Sequence, residues 1–347
     1  MTEPTDTASH PPTAPTDAWL HVQKLSDVEP LDYDTHFETG ANVPPSLDGV
    51  LFDPEGKRTT YAVLDAARWP FLPEILRQSK LKHRCLFKGD AELETGDSAP
   101  WLVALRPDHP FTAKLTMVEE PPIGLWNLEL GIFLKSALSL DEIWTHCRKF
   151  TRIKDDEENW FFHRFWAPTV STRAMALGNR PELRQLIAPF FPAKDRDIEV
   201  VLLNSDLHAV LSRIQGTEPP TARPVLTKAA RNALRQIRRV QQYEILIDIT
   251  LDNVSDMTDY SDDDVRSLLR AKRDWFFQLG FWQKDHLAKM MVWEVLLGPD
   301  FVHSYAQGTP NAIIEQASAP YEAIMNIEYF LEAQEIRRLE AEELQQK

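Results

Sequence analysis

Glycine and cysteine are scarce in this chain. Twelve glycines in 347 residues include no Gly-x-Gly-x-x-Gly and no Walker-type loop, so the backbone cradles that hold nucleotide phosphates are missing. No Gly-x-Ser-x-Gly and no His-Glu-x-x-His occurs either, which removes the commonest serine-hydrolase and zinc-protease signatures. The two cysteines, Cys85 and Cys147, stand in no metal or redox spacing. That usage fits a reducing compartment rather than a disulfide framework. No stretch approaches the roughly 20 apolar residues that span a bilayer, and residues 1–17 carry no apolar run of the kind a signal peptide needs. Cytoplasmic location is the expectation. Positive charge is also in deficit. The formal net charge is −15, so phosphate backbones and anionic lipid are repelled, and neither nucleic acid nor membrane is an expected partner.

Aromatic residues are plentiful. Ten Trp and 17 Phe require either a large core or an apolar partner surface. The expected architecture is α/β: an N-terminal mixed-sheet lobe with flanking helices, then a smaller all-helical C-terminal lobe. Residues 1–17 (MTEPTDTASHPPTAPTD) have too few apolar side chains to offset the entropy of ordering and read as a disordered tail. Residues 18–215 form the α/β lobe. Residues 216–224 (GTEPPTARP) have linker composition, and residues 225–347 form the helical lobe.

Within the first lobe, residues 18–25 read as a strand or short helix and residues 26–53 as a long surface connection. Apolar runs predict strands over Tyr61–Asp65, Arg84–Phe87, Trp101–Leu105, Leu125–Leu134, Trp160–Trp166 and Ile198–Leu203. Gly131 marks a bulge or a close backbone contact. Residues 88–100 read as turn-rich. Helices are predicted over Phe71–Ser79, with Pro73 in the first turn, and over Pro181–Ala188. A third runs over Leu140–Phe150, where Ser139 and Glu142 have capping-box spacing. In the second lobe an apolar stripe of Leu226, Ala230, Ala233, Leu234, Ile237 and Val240 opposes Lys228, Arg231, Arg235, Arg238 and Arg239. Residues 245–251 fit either a strand or a continuation of that helix. Helices follow over residues 262–279, 284–297, 311–317 and 321–346, the first stopped by Gly280.

Candidate chemistry is sparse. Asp65 ends an apolar strand, where catalytic acids sit in many α/β folds, yet capping the next turn or pairing with Arg68 explains it as well. A hydrolase using Asp65 with His83 or His163 is the alternative function. His146 and Cys147 are adjacent on a helix and point apart, which disfavours a nucleophile–base pair. Asp285-His286 lacks further spaced ligands. No metal and no cofactor is expected. The basic face at residues 228–239 is a local reversal of sign in an acidic chain, and it suits either a solvated surface or a partner-binding face.

Several segments resemble, in order, the type VI secretion effector adaptor/chaperone family. Tyr61-Ala62-Val63-Leu64-Asp65-Ala66-Ala67 is similar to its YALLDAA start, and Leu86-Phe87 with Gly89 to its LF-x-G step. Ala99–Leu105 (APWLVAL) is similar to its APYLVxL strand, and Ser139–Arg148 to its S-x-L-x-x-L-x-x-HLR helix. Phe161–Pro168 takes the place of its FRFYDP strand, with Ala167 where the family has an acid. Phe190-Phe191 resembles its FFGP ending. The resemblance covers residues 61–192. It implies a protein that is not an enzyme. Such a protein binds a cognate effector toxin in the cytoplasm of a Gram-negative bacterium and helps load it onto the VgrG spike protein. It also implies an α/β N-terminal lobe and a variable helical C-terminal lobe. The partner-binding candidates on this reading are Arg231, Arg235 and Arg238 of the basic face, together with Trp275 and Trp282, for which core packing is the competing explanation. A structural spike component is the third alternative, and it predicts permanent oligomers.

Overall fold

The computed structural model describes residues 18–168, 170–192, 197–205, 207–217 and 223–345. The expected tail, residues 1–17, and most of the expected linker, residues 218–222, lie outside them. The described chain falls into two compact units, Met1–Arg238 and Arg239–Lys347.

The first unit is built on strands β1 (Leu20–Lys24), β2 (Thr59–Asp65), β3 (His83–Cys85), β4 (Pro100–Ala104), β5 (Gly131–Ser136), β6 (Arg152–Asp155), β7 (Trp160–Phe162), β8 (Ile198–Asn204), β9 (Leu207–Arg213) and β10 (Val225–Leu226). Seven of them form one sheet in the order β1-β9-β8-β5-β2-β4-β3, and every neighbouring pair is antiparallel. The remaining three form a small sheet, β10-β6-β7, in which β10 runs parallel to β6.

The large sheet is covered on both faces, which explains why its central strands β2, β5 and β8 lack regular polar alternation. Tyr61, Val63, Leu102, Ile132, Leu134, Val200 and Leu202 point into one core. Their strand neighbours Ala62, Leu64, Val103, Phe133, Val201 and Leu203 point into another on the opposite face, as the two-residue period of a strand requires. The first core is closed by the helix Leu140–Thr151 and by the rings of Phe165, Trp166, Phe190 and Phe191. The second is closed by the helices Pro45–Leu51, Leu72–Ser79 and Pro110–Thr116.

Local signals account for many boundaries. The capping box is complete: Ser139 Oγ accepts from the Glu142 N–H and Glu142 Oε2 accepts from the Ser139 N–H. Gly131 is the close-contact site. A Cβ there would lie 1.8 Å from the carbonyl oxygen of Val63 on the neighbouring strand.

Several expectations need correction. Residues 26–53 are not mere connection, because they hold the helices Tyr33–Thr39 and Pro45–Leu51, and Leu47 and Leu51 are buried. The first of these helices is set by Asp32, whose side chain accepts from the Thr35 N–H at 2.7 Å, and by left-handed Gly40 at its end. Residues 88–100 include the helix Asp90–Thr95. The strand expected over Trp160–Trp166 stops at Phe162, since Phe165 and Trp166 turn inward to the core. The strand expected over Leu125–Leu134 begins only at Gly131, after a 3-10 turn at Trp126–Leu128. Strand β9 had no counterpart among the expected strands. Residues 245–251 are helical, within one helix, Lys228–Val254.

That helix carries the division between the units. Its first turns belong to the first unit, where Ala230, Ala233 and Ile237 join the core, and the preceding β10 pairs with β6. The division therefore lies beyond the 216–224 segment. The second unit is helical and contains Asp262–Gln278, Lys284–Leu296, Thr309–Gln316 and Pro320–Gln345. Its core gathers Tyr243, Ile247, Phe276, Phe281, Met290 and Phe301.

Candidate functional site

Asp65 is a structural residue. Its carboxylate is 1% exposed. It accepts from the Ala67 N–H at 3.0 Å, fixing the turn that follows β2, and it forms an ion pair with Arg164. Arg68 does not supply that partner, since its guanidinium donates to the Leu128 carbonyl at 2.7 Å. The histidines considered with Asp65 are engaged elsewhere. His83 Nδ1 lies 2.7 Å from the Leu81 carbonyl oxygen, and His163 Nδ1 lies 3.2 Å from that of Phe150. Burial pushes the His163 pKa down to about 4, so its ring is neutral near pH 7.

The thiols are equally committed to packing. Burial pushes Cys85 up to about 11 and raises Cys147 further. Neither therefore carries thiolate near neutral pH. His146 points to the Phe190 carbonyl, with Nε2 at 2.9 Å. Among the described residues, no group of three or more His, Cys, Asp or Glu side chains is gathered as a metal site would be.

The basic face divides into one tied arginine and two presented ones. Arg231 donates to the buried carboxylate of Asp155 at 2.8 Å and lies over the Phe161 ring at 4.9 Å. Burial alone would raise the Asp155 pKa. The Asn159 N–H and the Arg231 guanidinium outweigh burial and hold the carboxyl below its usual value. Arg231 thus anchors the start of its helix to the small sheet. Arg235 and Arg238 are exposed on the same helix, four and seven residues on. Arg235 makes one long contact, 3.3 Å to Asn232.

The two tryptophans also differ. Trp275 is half-buried against Phe276 and His303, and the Lys272 ammonium sits 4.7 Å from its ring. Lys272 in turn bridges fully buried Glu294 at 3.2 Å and half-exposed Asp300 at 3.0 Å, so Trp275 belongs to a half-buried polar–aromatic cluster. Trp282 faces a depression of about 420 Å³ on the helical unit, with Phe277, Ile245, Leu246, Arg239 and Lys284 around it. Trp282 stacks on Phe277 at 4.9 Å and 19° between planes, and the Arg239 guanidinium lies 4.2 Å above its ring. Trp282 and Ile245 are exposed. An apolar floor with half-exposed aromatic rings and a cationic rim is the composition of a protein-binding hot spot.

Phe277 and Ile245 were not among the expected contact residues, and Arg239 was expected only as part of the basic face at residues 228–239. Ile245 could have been found. With 245–251 helical, it falls away from the stripe that buries Leu246, Ile247 and Leu251. The first unit has a larger depression of about 770 Å³. Lys149, Arg152 and Trp160 line it, with Arg152 and Lys154 at 5.5 and 5.2 Å from the Trp160 ring.

No helix among the described residues is long and apolar enough to cross a membrane. No curated protein and no solved structure matches the chain. Residues 60–185, from β2 to just past the start of the short helix Arg184–Ile187, match the family model described as Domain of unknown function (DUF4123), a family associated with type VI secretion effector adaptors.

Proposed function

We propose that this protein is a cytoplasmic adaptor/chaperone that binds a cognate type VI effector toxin and helps load it onto the VgrG spike protein, without a catalytic step of its own. The match of residues 60–185 to a family associated with such adaptors carries this reading. The side-chain chemistry supports it. The residues that sequence reasoning weighed as catalytic, Asp65, His83, His163 and Cys147, are occupied by structural bonds or buried in the core. The exposed Trp282–Phe277–Ile245 surface with Arg239 at its rim is suited to bury an apolar effector segment, and rim charge selects the partner and speeds the encounter.

Co-production with the toxin encoded in the same secretion cluster tests the proposal. The adaptor reading requires that the toxin's soluble yield rise, that the two proteins co-purify, and that Trp282→Ala with Ile245→Ser weaken co-purification while the variant's unfolding transition is retained. A toxin equally soluble and equally loaded on the spike without this protein sinks it.

A further inference from the structure

The last helix, Pro320–Gln345, packs by one side only. Ala323, Ile324 and Ile327 are buried in the helical unit, and Phe330 meets Tyr305 edge-on at 6.4 Å. Beyond Leu331 none of the described side chains of this helix is buried, although an isolated helix of a few turns is marginal in water. Away from the packed side, Tyr321, Met325, Tyr329, Ile336 and Leu339 stand in solvent, with Tyr329 75% and Ile336 58% exposed. At 3.6 residues per turn these five positions fall within an arc of about 80°. They form one apolar stripe, interrupted only at Glu332 between Tyr329 and Ile336, and a stripe of this kind normally faces a partner.

The charge around the stripe is one-sided. The helix holds seven glutamates against two arginines. Glu328, Glu335 and Glu342 follow one margin of the stripe, Glu322 begins the other, and Glu332 lies inside it. Arg338 is already shared between Glu335 at 2.6 Å and Glu342 at 3.1 Å, and Glu328 pairs with Lys289 at 2.7 Å. Glu332 is exposed and has no ion-pair partner among the described residues.

We propose that this stripe docks a basic amphipathic helix of another protein chain. The apolar residues supply the seam, and the glutamates select lysine or arginine on its margins. A second copy of this chain would set glutamates against glutamates in either orientation, and an anionic lipid surface would meet the same repulsion. The surface is separate from the Trp282 depression, and the inference does not depend on the adaptor reading.

Fluorescence anisotropy of the full chain with three synthetic helical peptides tests it. One peptide carries a Leu/Ile seam with lysine margins, one the same seam with glutamate margins, and one lysine margins with serine in the seam. The first is expected to bind about tenfold or more tighter than either control, to lose about tenfold on Tyr329→Ser with Ile336→Ser, and to weaken as salt rises. The variant Glu332→Arg keeps all five apolar side chains of the stripe and reverses the one charge within it, and it is expected to weaken the same peptide several-fold, so the test survives if the double substitution disturbs folding. Equal binding of the seamless lysine peptide, or affinity unchanged in both variants, overturns the proposal. So does light scattering that finds a dimer abolished by Ile336→Ser, which would assign the stripe to a second copy.

Discussion

Arg164 reaches across 99 positions of sequence to pair with the buried carboxylate of Asp65. Asp65 closes β2 within the segment Tyr61–Ala67, and Arg164 lies in the segment Phe161–Pro168, so two of the stretches that stand out in the sequence meet at one ion pair. Removing Arg164 leaves a carboxylate buried without its cation, while the Ala67 N–H bond persists. Because the Arg164 side chain is half-exposed, solvent recovers part of the loss. Arg164→Ala is expected to cost about 2–3 kcal/mol, measured by urea unfolding. Asp65→Asn, which keeps the turn acceptor, is expected to cost less. A double-mutant cycle with no coupling between the two positions would contradict a structural role for the pair.

Gly131 is expected to be intolerant for a different reason. A methyl group there collides with the Val63 carbonyl in the middle of the sheet, and neither strand can retreat without breaking its other pairing. Gly131→Ala is expected to lose at least about 3 kcal/mol, or to fail to accumulate as soluble protein. Gly56 is the contrast. Its φ of +68° disfavours an L side chain, but nothing lies within 4 Å of the added carbon, so Gly56→Ala is expected to cost only about 1 kcal/mol. Thermal unfolding of the two variants side by side would show whether strand spacing, rather than glycine loss as such, governs the effect.

Cys85 and Cys147 are expected to be silent to thiol reagents in the native protein at pH 8. Both are buried, and burial holds Cys85 near a pKa of about 11, far above the assay pH, so the reactive thiolate is rare and shielded. Both should titrate on unfolding in denaturant. Rapid labelling of either in the folded state would mean that the wall formed by the helix Leu140–Thr151 opens easily.

His163 should give the first unit a pH dependence of definite sign. Its folded pKa is about 4, below its ordinary value of 6.5. The unfolded state therefore takes up a proton between those values when the folded state does not. Stability from this source is complete above about pH 6.5 and falls as pH drops toward 4. The residue keeps part of its surface in solvent, which moderates the loss. His163→Gln should flatten the stability profile between pH 6.5 and 4 relative to the parent, while leaving the profile above that window unchanged. Parallel profiles for the two proteins would remove the assignment.

The central strands of the large sheet were legible because both faces are covered, so Tyr61–Leu64 and Val200–Leu203 are uninterrupted apolar runs within the expected strands Tyr61–Asp65 and Ile198–Leu203. The helix after Ser139 was legible because its capping box is local. What stayed hidden depends on distant contacts. Strand β9 (LHAVLSR) carries His208, Ser212 and Arg213, and its identity as a strand comes from being sandwiched between β8 and β1. The helix Pro110–Thr116 has an unusual cap, the His109 ring accepting from the Phe111 N–H at 3.1 Å, which the usual capping residues do not announce. In the candidate site, Trp282 was singled out from the sequence as a partner-binding candidate against core packing, and it is exposed. Its grouping with Arg239 and Ile245 was not legible, because both come to it from another helix.

The strand order has a temporal consequence. Leu20 of β1 pairs with Arg213 of β9, so β1 is synthesised long before its partner and waits while more than half of the chain follows it. Until β8 and β9 arrive, β5 also presents an open edge at Phe133–Ser136. Sheets closed by contacts so remote in sequence fold slowly and expose strand edges meanwhile. The segment 60–185 contains none of β1, β8 and β9, so a fragment cut to that span would hold the sheet in its unfinished state permanently, with β5 as an aggregation-prone border.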